Sequence, residues 1–112
     1  MSEGRLRLFT ADAPFALGRE GTTLILFWAA WCRVSTAASD AFVQEAAETL
    51  HFQWVLCDYE QHRERSISLM HVRTIPTLLI LTHGDEFARY IGPLKRSDLR
   101  RICRGLIGQP LP

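Results

Sequence analysis

Cys32, Arg33, Val34 and Ser35 follow directly on Trp31, and this short run holds the residues best suited to covalent chemistry in the 112-residue sequence. A thiol acts as a nucleophile only as its thiolate, so the surroundings of Cys32 decide its reactivity. The run lies where an apolar segment gives way to a helical pattern, which places Cys32 at the first turn of a helix. Unpaired backbone N–H groups and the helix dipole favour negative charge there. Moving a thiol from ~8.5 to ~7 takes ~2 kcal/mol of thiolate stabilisation, near the upper limit of a helix terminus alone. Arg33 is expected to supply the remainder. Ser35 lies one helical turn on, and its hydroxyl can donate a hydrogen bond to the sulfur. The chemistry indicated is attack of a thiolate on a disulfide.

The other two cysteines read differently. Cys57 ends an apolar run and Cys103 falls on the apolar face of a C-terminal helical pattern, so both are expected to be core thiols. Three cysteines at spacings of 25 and 46 suggest neither a disulfide framework nor a zinc ribbon. His51, His62, His71 and His83 show no metal-ligand spacing, so no metal and no cofactor is expected. Lys plus Arg number 13 and Asp plus Glu 12, a net charge of +1, which argues against general nucleic-acid binding. Arg96, Arg100 and Arg104 recur every four residues and read as a solvated helix face.

These groups need a scaffold, and the hydropathy pattern supplies one for a single domain over residues 1–112. Arg5 to Phe9 alternates like a short half-exposed strand. Asp12-Ala13-Pro14 opens a short helix that stops at Gly18. Thr22 to Trp28 is a strand covered on both faces, and Cys32 to Leu50 is a helix with Ala38, Ala41, Phe42, Ala46 and Leu50 on its buried side. Phe52 to Cys57 is a second buried strand, parallel to the first by the βαβ rule. Gln61 to His71 reads as a polar helix with Ile67 and Met70 turned inward. Thr77 to Leu81 and Phe87 to Ile91 flank His83-Gly84-Asp85-Glu86 as an antiparallel hairpin. A last helix begins near Ser97, carries Leu99, Ile102, Cys103, Leu106 and Ile107 on one face, and stops at Gly108 before Pro110. The fold class is α/β, with a mixed sheet. The longest apolar stretches, Leu24 to Cys32 and Ile75 to Leu81, are far short of the ~20 residues of a membrane-spanning helix. The N-terminus builds no secretory signal, and a cytoplasmic location is expected.

The order Phe27-Trp28-Ala29-Ala30-Trp31-Cys32, then Val72-Arg73-Thr74-Ile75-Pro76-Thr77, then a glycine-bearing hairpin and Gly92 resembles the thioredoxin family over nearly the whole chain. The resemblance implies a central mixed β-sheet flanked by helices on both faces. It also implies a cis Ile75–Pro76 bond beside Cys32 and pairing of the Ile75 backbone with an extended substrate. The site set is then Cys32 and Ser35 for the chemistry, with Trp31, Arg33, Val34, Ile75, Pro76 and Gly92 facing the substrate.

The sequence departs from that family at three places. Ser35 stands where a resolving cysteine is usual, so a mixed disulfide on Cys32 cannot be cleaved from within. Leu26 and Leu56 stand where a buried aspartate and a lysine tune the dithiol site. A laboratory Cys→Ser change would leave those two groups in place, so their joint absence points to a site without resolving machinery by origin rather than an engineered trap. Arg33-Val34 replaces the common glycine-proline pair. Two activities follow. In one, Cys32 attacks a protein or glutathione disulfide and an external thiol such as glutathione resolves the product. In the other, the groove around Trp31 and Pro76 holds a polypeptide partner non-covalently, as a binding or chaperone-like module. Iron–sulfur carriage as in monothiol glutaredoxins is set aside, because their Cys-Gly-Phe-Ser motif is not the run found here.

Overall fold

A computed structural model of the chain describes residues 6–8 and 21–108. Its elements are β1 Leu6–Leu8, β2 Thr22–Trp28, α1 Arg33–Glu48, β3 Gln53–Asp58, α2 Arg63–Met70, β4 Thr77–Thr82, β5 Asp85–Ile91 and α3 Arg96–Gly108. The short helix expected from Asp12 to Gly18 and the terminal Pro110 lie outside the described residues. The strands form one mixed sheet in the order β1-β3-β2-β4-β5. β1, β2 and β3 pair in parallel, while β4 runs antiparallel to both β2 and β5.

β2 lies at the centre because its sequence has nothing to expose: Leu24, Ile25, Leu26 and Phe27 are all fully buried. Alternation along each strand splits the core in two. Leu24, Leu26, Trp54, Leu56, Leu78 and Ile80 point to the side covered by Ala38, Phe42 and Ala46 of α1 and by Leu99 and Cys103 of α3. Ile25, Phe27, Val55, Cys57 and Leu79 point to the other side, where Ile67 and Met70 of α2 pack against them. Helices thus cover both faces, as the resemblance implies.

Local chemistry sets the element ends. The β4–β5 hairpin turns on two residues, His83 at φ 51° and Gly84 at φ 91°, the paired left-handed conformations of a tight hairpin turn. The strands therefore run to Thr82 and restart at Asp85, a tighter connection than the four-residue loop expected. α2 ends at Met70, with His71 as its C-cap at φ 57°, and Arg89 donates there to the carbonyls of Met70 at 2.8 Å and His71 at 3.0 Å.

Three expectations need correction. α1 stops at Glu48, so Leu50 lies beyond it and is 41% exposed rather than buried. Ile107, on the last turn of α3, is 51% exposed and not part of the buried stripe. Arg96 and Arg100, the first half-buried and the second exposed, are not left to solvent alone. Both reach across to α1, where the buried Glu45 carboxylate accepts from Arg96 Nε at 3.0 Å and Arg100 Nε at 3.3 Å, and Glu48 pairs with Arg96 at 2.6 Å. A carboxylate on the inner side of α1 is tolerable only with such partners, and they add to the shared apolar core beneath α1 and α3. Arg104 faces solvent and has no ion-pair partner among the described residues.

Candidate thiol-exchange site

The site forms where the sheet changes hands. β2, β3 and β5 all end at one edge of the sheet, and β4 begins there. Thr77 pairs with both Phe27 and Ile91, so Pro76 and Gly92 each lie one residue past the paired strand ends. Trp28 pairs with Asp58 at the same edge. The chain leaving β2 turns through Ala29 and Ala30 and delivers Cys32 to the start of α1.

Cys32 is the N-cap of α1, extended at φ −107° and ψ 106°, half-buried, and without a side-chain capping bond. Its carbonyl already accepts the first helical bond from Thr36 N–H at 2.9 Å. The thiol is held below its ordinary value, first by the Ser35 hydroxyl, then by the Ser35 amide, against a small opposing effect of burial, with the Val34 amide adding to the lowering. These amides are the second and third of the helix, the free donors that an N-cap side chain normally takes. The lowering therefore comes from Ser35 and the helix start, and the contribution expected of Arg33 is not among its causes.

Ser35 has a second task that sequence reasoning missed. It is fully buried, its oxygen accepts from Ala29 N–H at 3.1 Å, and its hydroxyl faces the carbonyls of Cys32 at 2.9 Å and Ala29 at 3.0 Å. One hydroxyl carries one proton, so those carbonyls and the sulfur share it in turn. Ser35 thus pins the turn between β2 and α1 while it faces the thiol.

The other cysteines contrast with Cys32. Burial, partly offset by the Ser66 hydroxyl 3.6 Å away, pushes the Cys57 thiol up to about 11. Burial and the Glu45 carboxylate push Cys103 up to about 12. Both lie in the core, on opposite faces of the sheet.

Around Cys32 the rim is apolar and shaped by a few hydrogen bonds. Trp31 is 66% exposed, and its indole N–H donates to the Glu60 carboxylate. Glu60 was not legible from the sequence, since it is 29 residues away and belongs to no motif. It is placed by Tyr59, whose N–H donates to Trp28 O at 2.7 Å and whose hydroxyl donates to Val72 O at 3.1 Å. Val34 and Arg33 are exposed on the first turn of α1, Ile75 is half-buried and Pro76 buried. The Ile75–Pro76 bond is cis, and the Pro76 carbonyl accepts from Gly92 N–H at 3.0 Å. Gly92 has φ +114° with open space where a Cβ would be, so conformation and not crowding asks for glycine there. Among the described residues nothing hydrogen-bonds to the Ile75 backbone, and neither Arg33 nor Arg73 has an ion-pair partner. No group of three or more His, Cys, Asp or Glu among them is placed to hold a metal.

Leu26 and Leu56, the positions that depart from the family, are direct cross-strand partners and both are buried beneath α1. They bring two apolar side chains where a charged pair would sit.

A thiol at a helix N-cap and a cis-proline, both at one end of a mixed sheet covered on both faces, define a thioredoxin-fold protein. Comparison with known proteins is narrower. The thioredoxin family model matches residues 15–104, and the chain belongs to the thioredoxin family. It is 31% identical over 78 residues to thioredoxin C-3 of Corynebacterium nephridii, a match that takes in 70% of this chain and 53% of that protein. The chain thus spans about half the length of that relative. Thioredoxin of Mycoplasma genitalium is 26% identical over 76 residues, covering 68% of this chain and 74% of its own. Among solved structures, thioredoxin f from spinach chloroplast in its short form superposes with a TM-score of 0.81 at 16% identity, over 96% of this chain and 98% of its own. At that identity the likeness speaks for the fold alone. No described helix is long and apolar enough to cross a membrane.

Proposed function

We propose that this chain, as a single domain, is a monothiol thiol–disulfide exchange protein working through Cys32. The Cys32 thiolate attacks one sulfur of a protein or glutathione disulfide. A new S–S bond joins Cys32 to that sulfur, the old S–S bond breaks, and the other sulfur leaves as a thiolate. An external thiolate, glutathione in a reducing compartment such as the cytoplasm, then attacks the mixed disulfide. Attack at the Cys32 sulfur releases the substrate sulfur as a thiolate and leaves glutathione on Cys32; a second glutathione thiolate then attacks that glutathione sulfur, forming oxidised glutathione and returning Cys32 to its thiolate. Trp31, Arg33, Val34, Ile75, Pro76 and Gly92 line the groove, and the unpaired Ile75 backbone offers an extended substrate a strand partner.

The observation that carries this reading is the contrast among three thiols of one chain. Cys32 is accessible and lowered, while Cys57 and Cys103 are buried and raised. The buried Leu26–Leu56 pair favours a second reading, in which the same groove holds a polypeptide and exchange is minor. Incubation of the folded protein with oxidised glutathione, followed by peptide mapping, separates reactive from inert thiols. One glutathione adduct is expected, on Cys32, released by dithiothreitol. Adducts spread over all three cysteines, or none on Cys32, would remove the exchange reading.

A further inference from the structure

The turn after β3 touches both halves of the thiol site. Asp58 pairs with Trp28 at the end of the sheet, and its Oδ1 accepts from the N–H groups of Glu60 at 3.0 Å and Gln61 at 3.3 Å, which fixes the turn. On one side the Tyr59 N–H donates to Trp28 O at 2.7 Å and the Glu60 carboxylate accepts from the Trp31 indole, so the turn is joined to the segment that ends in Cys32. On the other side the Tyr59 hydroxyl donates to Val72 O at 3.1 Å, in the segment that leads to Ile75 and Pro76.

That second segment is held carbonyl by carbonyl. Arg89 takes those of Met70 and His71, Tyr59 that of Val72, Thr77 Oγ1 that of Thr74 at 2.8 Å, and the Gly92 N–H that of Pro76 at 3.0 Å. The Ile75 backbone is left open for a partner. Among the described residues, Tyr59 is the side chain that reaches this segment from the turn holding Trp28 and Trp31. Its hydroxyl is not something the core asks for. The Tyr59 ring is buried in one cluster with Phe27, Val55, Cys57, Val72 and Leu79, which a phenylalanine would fill equally. Val72 is 1% exposed, so its carbonyl depends on a protein donor.

We propose that Tyr59 is a positioning residue for thiol exchange, its hydroxyl holding the segment from Val72 to Pro76 against the Cys32 turn so that the Ile75 backbone meets a polypeptide whose sulfur lies at Cys32. The inference rests on the exchange reading above and deepens it, by assigning a buried residue outside the groove that decides how a polypeptide, and not a small disulfide, is received. Without the hydroxyl, Val72 O finds a donor only after the segment shifts, and the conformation that receives the peptide becomes the minor one.

Two disulfides test it, a short peptide whose cysteine is activated as its 2-pyridyl disulfide and 2-hydroxyethyl 2-pyridyl disulfide. In each, the Cys32 thiolate forms a new S–S bond to the alkyl sulfur, the old S–S bond breaks, and pyridine-2-thiolate leaves and takes up a proton as the thione. Both lose the same leaving group, so the ratio of their rates reports what the rest of the peptide contributes. The parent protein is expected to favour the peptide. Tyr59→Phe should lower the peptide rate about 10-fold, the scale of one buried carbonyl left without its donor. The small-disulfide rate and the pH profile of iodoacetamide alkylation at Cys32 should stay as in the parent. Thr49→Val removes a hydroxyl bonded to Glu45 at the far end of α1, and as a control for a hydrogen bond lost elsewhere should leave both rates unchanged. Tyr59→Met also lacks the hydroxyl and should show the same split, which keeps the test open if the phenylalanine variant folds poorly. A peptide rate that the folded Tyr59 variants leave unchanged, or an equal fall in peptide rate, small-disulfide rate and alkylation, would overturn the proposal. Failure of the parent Cys32 to react with the small disulfide would instead remove the exchange reading on which it rests.

Discussion

Ser35→Cys is expected to turn a slow, externally resolved exchange into rapid reduction of insulin disulfides with dithiothreitol as the reductant. Residues three apart on a helix are neighbours, so the introduced thiol would stand beside Cys32. A mixed disulfide on Cys32 would then be attacked from within. Effective molarities of well-placed intramolecular groups reach ~10⁵–10⁸ M, and even ~10 M would outpace a millimolar external thiol by ~10⁴-fold in that step. The observed gain should be smaller, at least ~10-fold in turnover, because another step becomes limiting and because Leu26 and Leu56 bring no proton acceptor beneath α1. The substitution also removes the Ser35 hydroxyl from its bonds with Ala29 and Cys32, at a cost of about 1 kcal/mol in stability. A variant that forms the internal disulfide and still leaves insulin intact would show that the scaffold binds and does not exchange.

The second large effect is on stability at alkaline pH. Cys57 and Cys103 titrate near ~8.5 when unfolded and are pushed up to about 11 and about 12 when folded. Between these limits the unfolded chain has lost both protons and the folded chain keeps them. The folded state binds more protons, so unfolding becomes easier as pH rises, by up to ~1.4 kcal/mol per pH unit for each thiol. The two together should cost on the order of 2–4 kcal/mol by pH 10.5. Cys32 acts in the opposite sense, since its lowered thiol adds stability that is present above its unfolded value and lost as pH falls through the folded one. Urea unfolding at pH 8 and pH 10.5 checks the sign, with the Cys57→Ala, Cys103→Ala double variant as reference and Cys32 common to both. The parent should lose ~2–4 kcal/mol more than the double variant on going to pH 10.5. Equal losses would mean that the two thiols ionise freely in the folded chain.

What could be read from the sequence follows from the range of each interaction. β2 declares itself through an unbroken apolar run, α1 through its helical period, and the hairpin through glycine between two apolar strands, all features of a few neighbouring residues. Leu26 and Leu56 were singled out separately, through the resemblance; that they face each other depends on the register of β2 against β3, which neither strand's own pattern sets. Arg96 and Arg100 could not be assigned, since the period of α3 says which residues share a face and nothing about what that face meets. Their partner Glu45 lies 51 residues away from Arg96 on another helix. Glu60 under Trp31 was hidden for the same reason. Ser35 was seen only as a neighbour of the thiol, because its bonds to Ala29 depend on how tightly the chain turns between strand and helix.

The most direct test of the account is the rate of iodoacetamide alkylation at each cysteine of the folded protein as a function of pH, with the sites assigned by mass spectrometry. The structure calls for an apparent midpoint at Cys32 below that of a free cysteine, ~8.5, with Cys57 and Cys103 unreactive through that range. A Cys32 midpoint at or above ~8.5, or core thiols that alkylate alongside it, would contradict an activated thiolate at the start of α1 and leave the groove as a binding surface.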